Sequence, residues 1–288
     1  MLKVDKSILK EIYKPRSPDV RKYDFGLLLV IGGGGFYTGS PALAGLAAFK
    51  TGVDMVHILA PKRAADIIAS FSPNLAAYPL KGEILTERDL PGLVGLTEAA
   101  KRVSHGKIAV VIGGGLGRSD ETKSAVVKFL EQTDVKTVID ADAIHAVALR
   151  KELLKEKEIV ITPHTFEFFI LTGREIKTLS LEDRIKIIQE EAEKFYSVIL
   201  LKSKIDIASN GKETVIIEAG TPFMTVGGTG DTLAGICGSL IAQGNDLFKS
   251  AQAAAFINGK AGEIASKKLG PALTATDLIE AIAQVIYG

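Results

Sequence analysis

From Gly26 onward the chain alternates short runs of Val, Ile and Leu with longer amphipathic stretches. Apolar runs of that length mark strands buried on both faces, and the stretches between them read as helices crossing over a mostly parallel sheet. The pattern predicts strands at 27–31, 53–59, 108–112, 137–139, 159–161 and 198–201. Beyond residue 201 the spacing shortens, and LKSKIDIASNGKETVIIEAG reads as two strands turning at Asn210-Gly211, a favoured pair for a tight hairpin. An antiparallel edge is therefore expected on the parallel sheet. From Thr229 the chain is Ala-rich and helical, broken at Gly244-Asn245 and Gly270-Pro271. Residues 1–24, with two prolines and many charges, read as a short helix and an extended arm packed on the outside. No repeat of solenoid length and no compositional break divides the chain, so 1–288 is expected to be a single α/β domain.

Composition narrows the function. Hydrophobic residues at 47% and charged residues at 24% exclude a disordered chain. With 35 basic against 34 acidic residues no global field draws nucleic acid or an anionic membrane. One cysteine, Cys237, and four scattered histidines give no internal disulfide and no Cys/His zinc spacing, so no set of metal-ligating side chains is expected. The charged N-terminus lacks a signal-peptide core, and there is no uncharged apolar run near ~18 residues. A cytoplasmic protein without nucleic-acid or membrane partners is expected.

The 29 glycines cluster at the ends of apolar runs, where ligand loops of an open α/β sheet lie. Five such segments carry candidate chemistry. The first, IGGGGFYTGSPALAGLAAF, lacks the spacing and the acidic partner of a dinucleotide fingerprint, and Gly32 to Gly35 also suit a plain strand-to-helix turn. In IGGGLGRSDET the glycines either bare amides for a phosphate or supply positive φ. In VIDADAIHAV, Asp140 and Asp142 can orient a cation, although Asp142 is expected to cap the following helix. In ITPHTFEFFILTG, His164 ends a strand, Thr165 can cap the helix, and Glu167 fits a capping box. The fifth, TVGGTGDTLAGICGSLIAQG, is the strongest. Gly227, Gly228 and Gly230 lead into an apolar helix with Asp231 in its first turn, a site for the charge on a transferring phosphoryl group. Asp231 either accepts a proton from an attacking hydroxyl or merely complements the helix dipole. Three glycines exceed what a cap requires.

At this fifth motif the sequence resembles the ribokinase-like superfamily, and the ordered set resembles ADP- or ATP-dependent NAD(P)H-hydrate dehydratases. The set comprises an arm ending Lys22-x-x-x-Gly26, the Gly-rich loop through Tyr37 and Gly39 to Ala44, GGGLG, DAD, TPHTFE, LKSKIDI and GGTGDTLAG, together covering Lys22 to Gly235. The resemblance implies a ribokinase-like three-layer αβα fold with a mostly parallel central sheet and an antiparallel edge. It implies that Ala42, Gly117 and His164 contact the hydrated nicotinamide nucleotide together with Asp231, the general base. Lys202, Ser203, Lys204, Ile205 and Asp206 match the nucleotide segment, joined by Gly228, Thr229 and Gly230, the last at the anion hole. Two departures stand out: KSKID replaces a KG-type run ending in Thr, and TPHTFEF replaces TPHPGEF.

The implied activity is repair of the S epimer of hydrated NADH or NADPH. ADP would phosphorylate the C6 hydroxyl, with Mg²⁺ bridging the phosphates, and loss of phosphate would restore the coenzyme and leave AMP. The resemblance further implies a functional link to an NAD(P)H-hydrate epimerase and, with the Ala-rich C-terminal helices, a homotetramer. An Asp at a helix start is expected to stay ionised. Two rival readings remain at this stage. One is a small-molecule hydroxyl kinase resembling hydroxyethylthiazole kinase, which would release its phosphoester intact, and the other is a non-catalytic ADP sensor.

Overall fold

A computed structural model of the chain describes residues 2–288. The strands are β1 (Leu2–Lys3), β2 (Leu27–Ile31), β3 (Met55–Pro61), β4 (Ala76–Leu80), β5 (Ile108–Ile112), β6 (Thr137–Ile139), β7 (Ile159–Ile161), β8 (Val198–Leu201), β9 (Asp206–Ser209) and β10 (Thr214–Ile217). The helices are α1 (Ser7–Ile12), α2 (Ser40–Lys50), α3 (Lys62–Phe71), α4 (Leu90–Val103), α5 (Asp120–Gln132), α6 (Asp142–Val147), α7 (Thr165–Thr172), α8 (Leu181–Phe195), α9 (Thr229–Ala242), α10 (Leu247–Leu269) and α11 (Ala275–Tyr287).

Among the described residues the strands form one ten-stranded sheet in the order β1-β10-β9-β8-β7-β6-β5-β2-β3-β4. Pairing is parallel except where β9 runs against both β8 and β10. The strands are apolar on both faces because both faces are covered. Leu28, Val30, Val111 and Leu200 point into one core with α2, α9, α10 and α11, while Leu29, Ile31, Val110 and Leu201 point into the other with α5, α6, α7 and α8. The result is the expected three-layer arrangement of helices about a mostly parallel sheet.

Three expectations are corrected. The antiparallel segment is present but does not end the sheet, because Leu2 and Lys3 of the N-terminal arm add β1 in parallel beside β10. The hairpin closes on the Ser209–Thr214 pair with a four-residue loop, since Asn210 Oδ1 accepts from the Lys212 and Glu213 amides and stabilises a longer turn. The strand expected at 53–59 runs instead from Met55 to Pro61, because the turn at Gly52, with φ 104°, occupies the residues before it. The sequence reading also missed β4, a half-exposed edge strand whose AAYPL has neither an apolar run nor alternation. The rest of the arm packs outside as expected: Arg16 reaches the Gly52 carbonyl and stacks on Phe25, and Tyr13 donates to the Thr51 carbonyl.

What positions the candidate site is the contact between α2 and α9. Asp231, Gly235 and Ser239 lie one turn apart, and so do Ser40, Ala44 and Ala48. They meet in register. The Ser40 hydroxyl donates to Asp231, a Cβ on Gly235 would come 2.6 Å from the Ala44 carbonyl carbon, and Ser239 Oγ donates to the Ala48 carbonyl at 3.0 Å. Toward the sheet, a Cβ on Gly238 would lie 2.8 Å from Leu28 Cδ1. These glycines let α9 lie low against both neighbours, which brings its first turn onto the first turn of α2.

Gly235→Ala is expected to force the helices apart and cost about 1–3 kcal/mol, a drop of several degrees in melting temperature. Gly95→Ala, on α4 where nothing lies within 4 Å of an added Cβ, is expected to be neutral or slightly stabilising. Indistinguishable thermal scans for the two variants would contradict the tight α2–α9 approach.

Candidate active site

The carboxyl ends of β2, β5, β6, β7 and β8 converge on the start of α9. Gly228 caps that helix with φ 97°, and a Cβ there would lie 2.6 Å from Leu43 and 2.9 Å from Ala275. The first intrahelical bond is from the Thr232 amide to the Gly228 carbonyl, so the amides of Thr229, Gly230 and Asp231 have no intrahelical acceptor. Asp231 is partly buried at the rim of this turn and accepts the Ser40 hydroxyl. The Gly113–Gly117 loop after β5 closes over it: a Cβ on Gly114 would lie 2.6 Å from Asp231 Oδ1. A small pocket, little larger than one water, is lined by Val30, Val111 and Ala234 together with Ser40, Asp140 and Asp231.

The Asp231 carboxyl is pushed up to about 7. Burial is the main cause and the nearby Asp140 and Asp142 carboxylates add to it, while the Ser40 hydrogen bond and the Lys202 ammonium oppose it. The expectation that a helix-start Asp stays ionised is therefore corrected, because desolvation outweighs what favours the charged form.

Behind Asp231 lies a second charge cluster. Lys202 Nζ sits 2.6 Å from Asp140 and 3.7 Å from Glu167, and it would be 3.6 Å from a Cβ on Gly230. Asp140 also accepts the Thr162 hydroxyl at 2.7 Å. Burial pulls the Lys202 ammonium down, but Asp140 and Glu167 outweigh it and hold it above its ordinary value. It remains a fixed positive charge beside the anion-binding turn.

The two helix caps differ from expectation. His164, not Thr165, caps α7: its Nδ1 accepts from the Phe166 and Glu167 amides at 3.2 Å, and Glu167 returns a bond to the His164 amide at 2.8 Å. A ring that accepts at Nδ1 carries its proton on Nε2, and this half-exposed edge lies 3.4 Å from Glu167 Oε1. Asp142 does not cap α6. Ala141 occupies that position with φ 48°, leaving the carboxylate to accept from the Gly117 amide at 2.9 Å and Arg118 Nε at 2.7 Å.

The structure brings Lys202 to the helix turn of Gly228, Thr229, Gly230 and Asp231 and pairs its strand end with His164, while Ala42 lies in the first turn of α2 and Gly117 against Asp142. Ala42 is only 2% exposed with its methyl in the core, so what it can offer a ligand is its first-turn amide. Gly117 is exposed but its amide is taken by Asp142. The 202–206 segment folds on itself: the Ser203 amide donates to Asp206 at 2.8 Å and the Ser203 hydroxyl bonds the Ile205 carbonyl. Lys204 projects outward, and burial pushes Asp206 up to about 7 against the opposing Ser203 amide and Lys202. Sequence reasoning passed over Ser40 and the Asp140–Lys202 pair. Ser40 is the first residue of a small-residue helix directly after the glycine loop, a position that could have marked it.

Among the described residues no group of three or more His, Cys, Asp or Glu side chains forms a metal cage. Asp140 and Asp142 each meet a cation of the chain, Lys202 and Arg118 respectively, so they offer a metal ion an outer shell at most. That suits a divalent cation that arrives on phosphates and keeps its waters.

Comparison with known proteins extends the picture. A family profile described as NAD(P)H-hydrate dehydratase matches residues 28–284. An ADP-dependent (S)-NAD(P)H-hydrate dehydratase of Nitrosopumilus maritimus is 37% identical over 283 residues, covering 97% of this chain and 95% of the relative. A bifunctional NAD(P)H-hydrate repair enzyme of Pyrobaculum aerophilum is 40% identical over 273 residues, and there the match covers 94% of this chain but 52% of the relative. The chain thus spans about half the length of the longer curated relatives it matches. In fold it is similar to an ADP/ATP-dependent NAD(P)H-hydrate dehydratase from Bacillus subtilis co-crystallised with ATP/Mg²⁺, with a TM-score of 0.82 and 21% identity over 99% of this chain and 97% of the other.

The raised Asp231 carboxyl has a stability signature. Its folded-state value of about 7 lies above the ordinary 3.8, so the contribution of its neutral form is complete below pH ~4 and is lost as pH rises through ~7. Asp231→Asn is expected to be more stable than the parent at pH 8, by about 1–3 kcal/mol, with the difference closing by pH 4. Urea melts at the two pH values check this, and a variant less stable than the parent at pH 8 would contradict it.

Proposed function

The chain belongs to the NAD(P)H-hydrate dehydratase family, and from that premise we propose that it restores NADH or NADPH from the S epimer of the C6 hydrate with ADP as phosphoryl donor. The observation that carries this reading is Asp231, held by Ser40 beneath the unpaired amides that open α9.

Hydroxide leaves carbon poorly, so the chemistry must first turn the C6 hydroxyl into a better leaving group. Asp231 orients that hydroxyl and takes its proton while the oxygen attacks the terminal phosphorus of ADP, releasing AMP. The C6–O bond of the phosphoester then breaks, phosphate departs, a proton is lost from C5, and the C5–C6 double bond returns. A carboxyl near neutrality is suited to this step, because a base works best when its pKa lies close to the working pH. Phosphoryl transfer has a loose transition state, so positioning and charge stabilisation carry most of the effect. The amides of Thr229 and Gly230 face the developing charge, with the Lys202 ammonium behind Gly230. Bound Mg²⁺ would neutralise phosphate charge, with Asp140 and Asp142 holding its waters. His164 Nε2 and the Ala42 amide would contact the hydrate, and the 202–206 turn would border the nucleotide.

In this reading residues 1–288 act as one domain, supported by a sheet that runs unbroken from the arm at β1 to β4. Among the described residues no helix is long and apolar enough to cross a membrane, in keeping with a cytoplasmic place. The epimerase that supplies the S form is a functional partner, and the working assembly is a homotetramer.

The decisive experiment incubates NADH hydrate with ADP and, in parallel, with ATP. Return of NADH absorbance with stoichiometric orthophosphate is expected, faster with ADP, whereas a stable phosphoester would make the protein a kinase. Asp231→Asn is expected to lower kcat by about two orders of magnitude or more while ADP binding persists. In the parent, kcat/KM is expected to rise with pH to a plateau above about 7, as the free carboxyl ionises. Ser40→Ala should move that limb to higher pH, because it removes the hydrogen bond that favours the carboxylate. A limb unmoved in Ser40→Ala, or near-parental turnover in Asp231→Asn, would reject the assigned base.

A further inference from the structure

The loop between β2 and α2 carries the most exposed large apolar side chain of the described residues, Phe36 at 93%, with Tyr37 beside it at 63%. The two rings meet edge to face with centroids 5.4 Å apart. This loop is not a loose excursion. The Gly33 amide donates to the Gly114 carbonyl, the Gly34 amide to the Tyr37 carbonyl, and Arg63 holds the Gly35 carbonyl at 2.8 Å. Tyr37 is seated on Gly115, where an added Cβ would lie 3.0 Å from Tyr37 Cβ. A well-anchored loop that holds a phenyl ring in water beside the Gly113–Gly117 loop offers a face for something flat.

We propose that Phe36 is a positioning residue that seats the adenine of the damaged dinucleotide, an assignment that rests on the function proposed above. Sheet order separates this ring from the phosphoryl donor. The nucleotide segment follows β8, and β2 stands four strands away across β7, β6 and β5, about 19 Å at ~4.8 Å per strand. Phe36 therefore stands on the acceptor's side of Asp231. Chemistry then separates the two halves of the acceptor. The hydroxylated ring must reach Asp231 beside Ser40, which leaves the other end of the dinucleotide for Phe36. The hydrated ring also has three tetrahedral carbons and is not flat, whereas the adenine is a remote, fully planar body. Stacking there adds binding energy to the substrate as a whole, which is read in KM.

The test compares NADH hydrate with the hydrate of reduced nicotinamide mononucleotide, which lacks adenine, on the parent, Phe36→Ala and Phe36→Trp. Phe36→Ala is expected to raise KM for NADH hydrate tenfold or more with kcat within about twofold, to leave KM for ADP unchanged, and to leave the mononucleotide hydrate unaffected. Phe36→Trp should restore the parental KM. An unchanged KM for NADH hydrate, an equal rise with both hydrates, or a rise in KM for ADP would each overturn the assignment. So would a change of solution mass by light scattering with KM unmoved, which would give the ring to a contact with a second copy. A parent that turns over neither hydrate would overturn the proposed function itself, whereas the outcomes above overturn only the role of Phe36.

Discussion

The low seat of α9 against α2 is the constraint on which the site depends. Three consecutive turns of the two helices face one another through Ser40 and Asp231, Ala44 and Gly235, and Ala48 and Ser239. A side chain at Gly235 or Gly238 would lift α9 from its neighbours, and one at Gly114 would strike Asp231 itself. Missing side chains on two helices and a loop therefore fix where one carboxylate sits. The glycines that look like phosphate-loop signatures have this second duty: some bare the amides, while others let the backbone approach.

That seat also sets the electrostatics. Asp231 is buried enough for its carboxyl to rise to about 7, while Lys202 pairs from behind with Asp140 and Glu167 instead of with Asp231. If the lysine met Asp231 directly, the carboxyl would fall to ordinary acidic values and lose its usefulness as a base near neutrality. The folded state carries this cost in stability at high pH, which is the usual compromise where function needs a destabilised group. The capping network around His164 belongs to the same design, since it ties Glu167, a partner of Lys202, to the α7 start.

Much of this was legible because the signals are local. Two-sided apolar runs gave β2, β5, β6, β7 and β8, and glycines at their ends marked the loops. Asp231 was readable from its place after Gly228 and Gly230. Other features were not. Strand β4 has a Pro and exposed positions, so no local pattern announces it, and β1 is too short to read as a strand. His164 replaced the expected Thr165 cap because its ring nitrogen reaches the same amides, an option that residue preferences alone underrate.

By itself the sequence determined a helix-crossed parallel sheet, the loops that carry chemistry, and a carboxylate at a helix start, because each depends on residues within one turn or one strand of each other. Only the tertiary structure decided what that carboxylate is. Its partner Ser40 lies 191 residues away, and Lys202 finds Asp140 across 62. Desolvation is a property of everything packed around a group, so the proton affinity of Asp231 and the direction in which Lys202 points are settled by distant segments that no local pattern encodes.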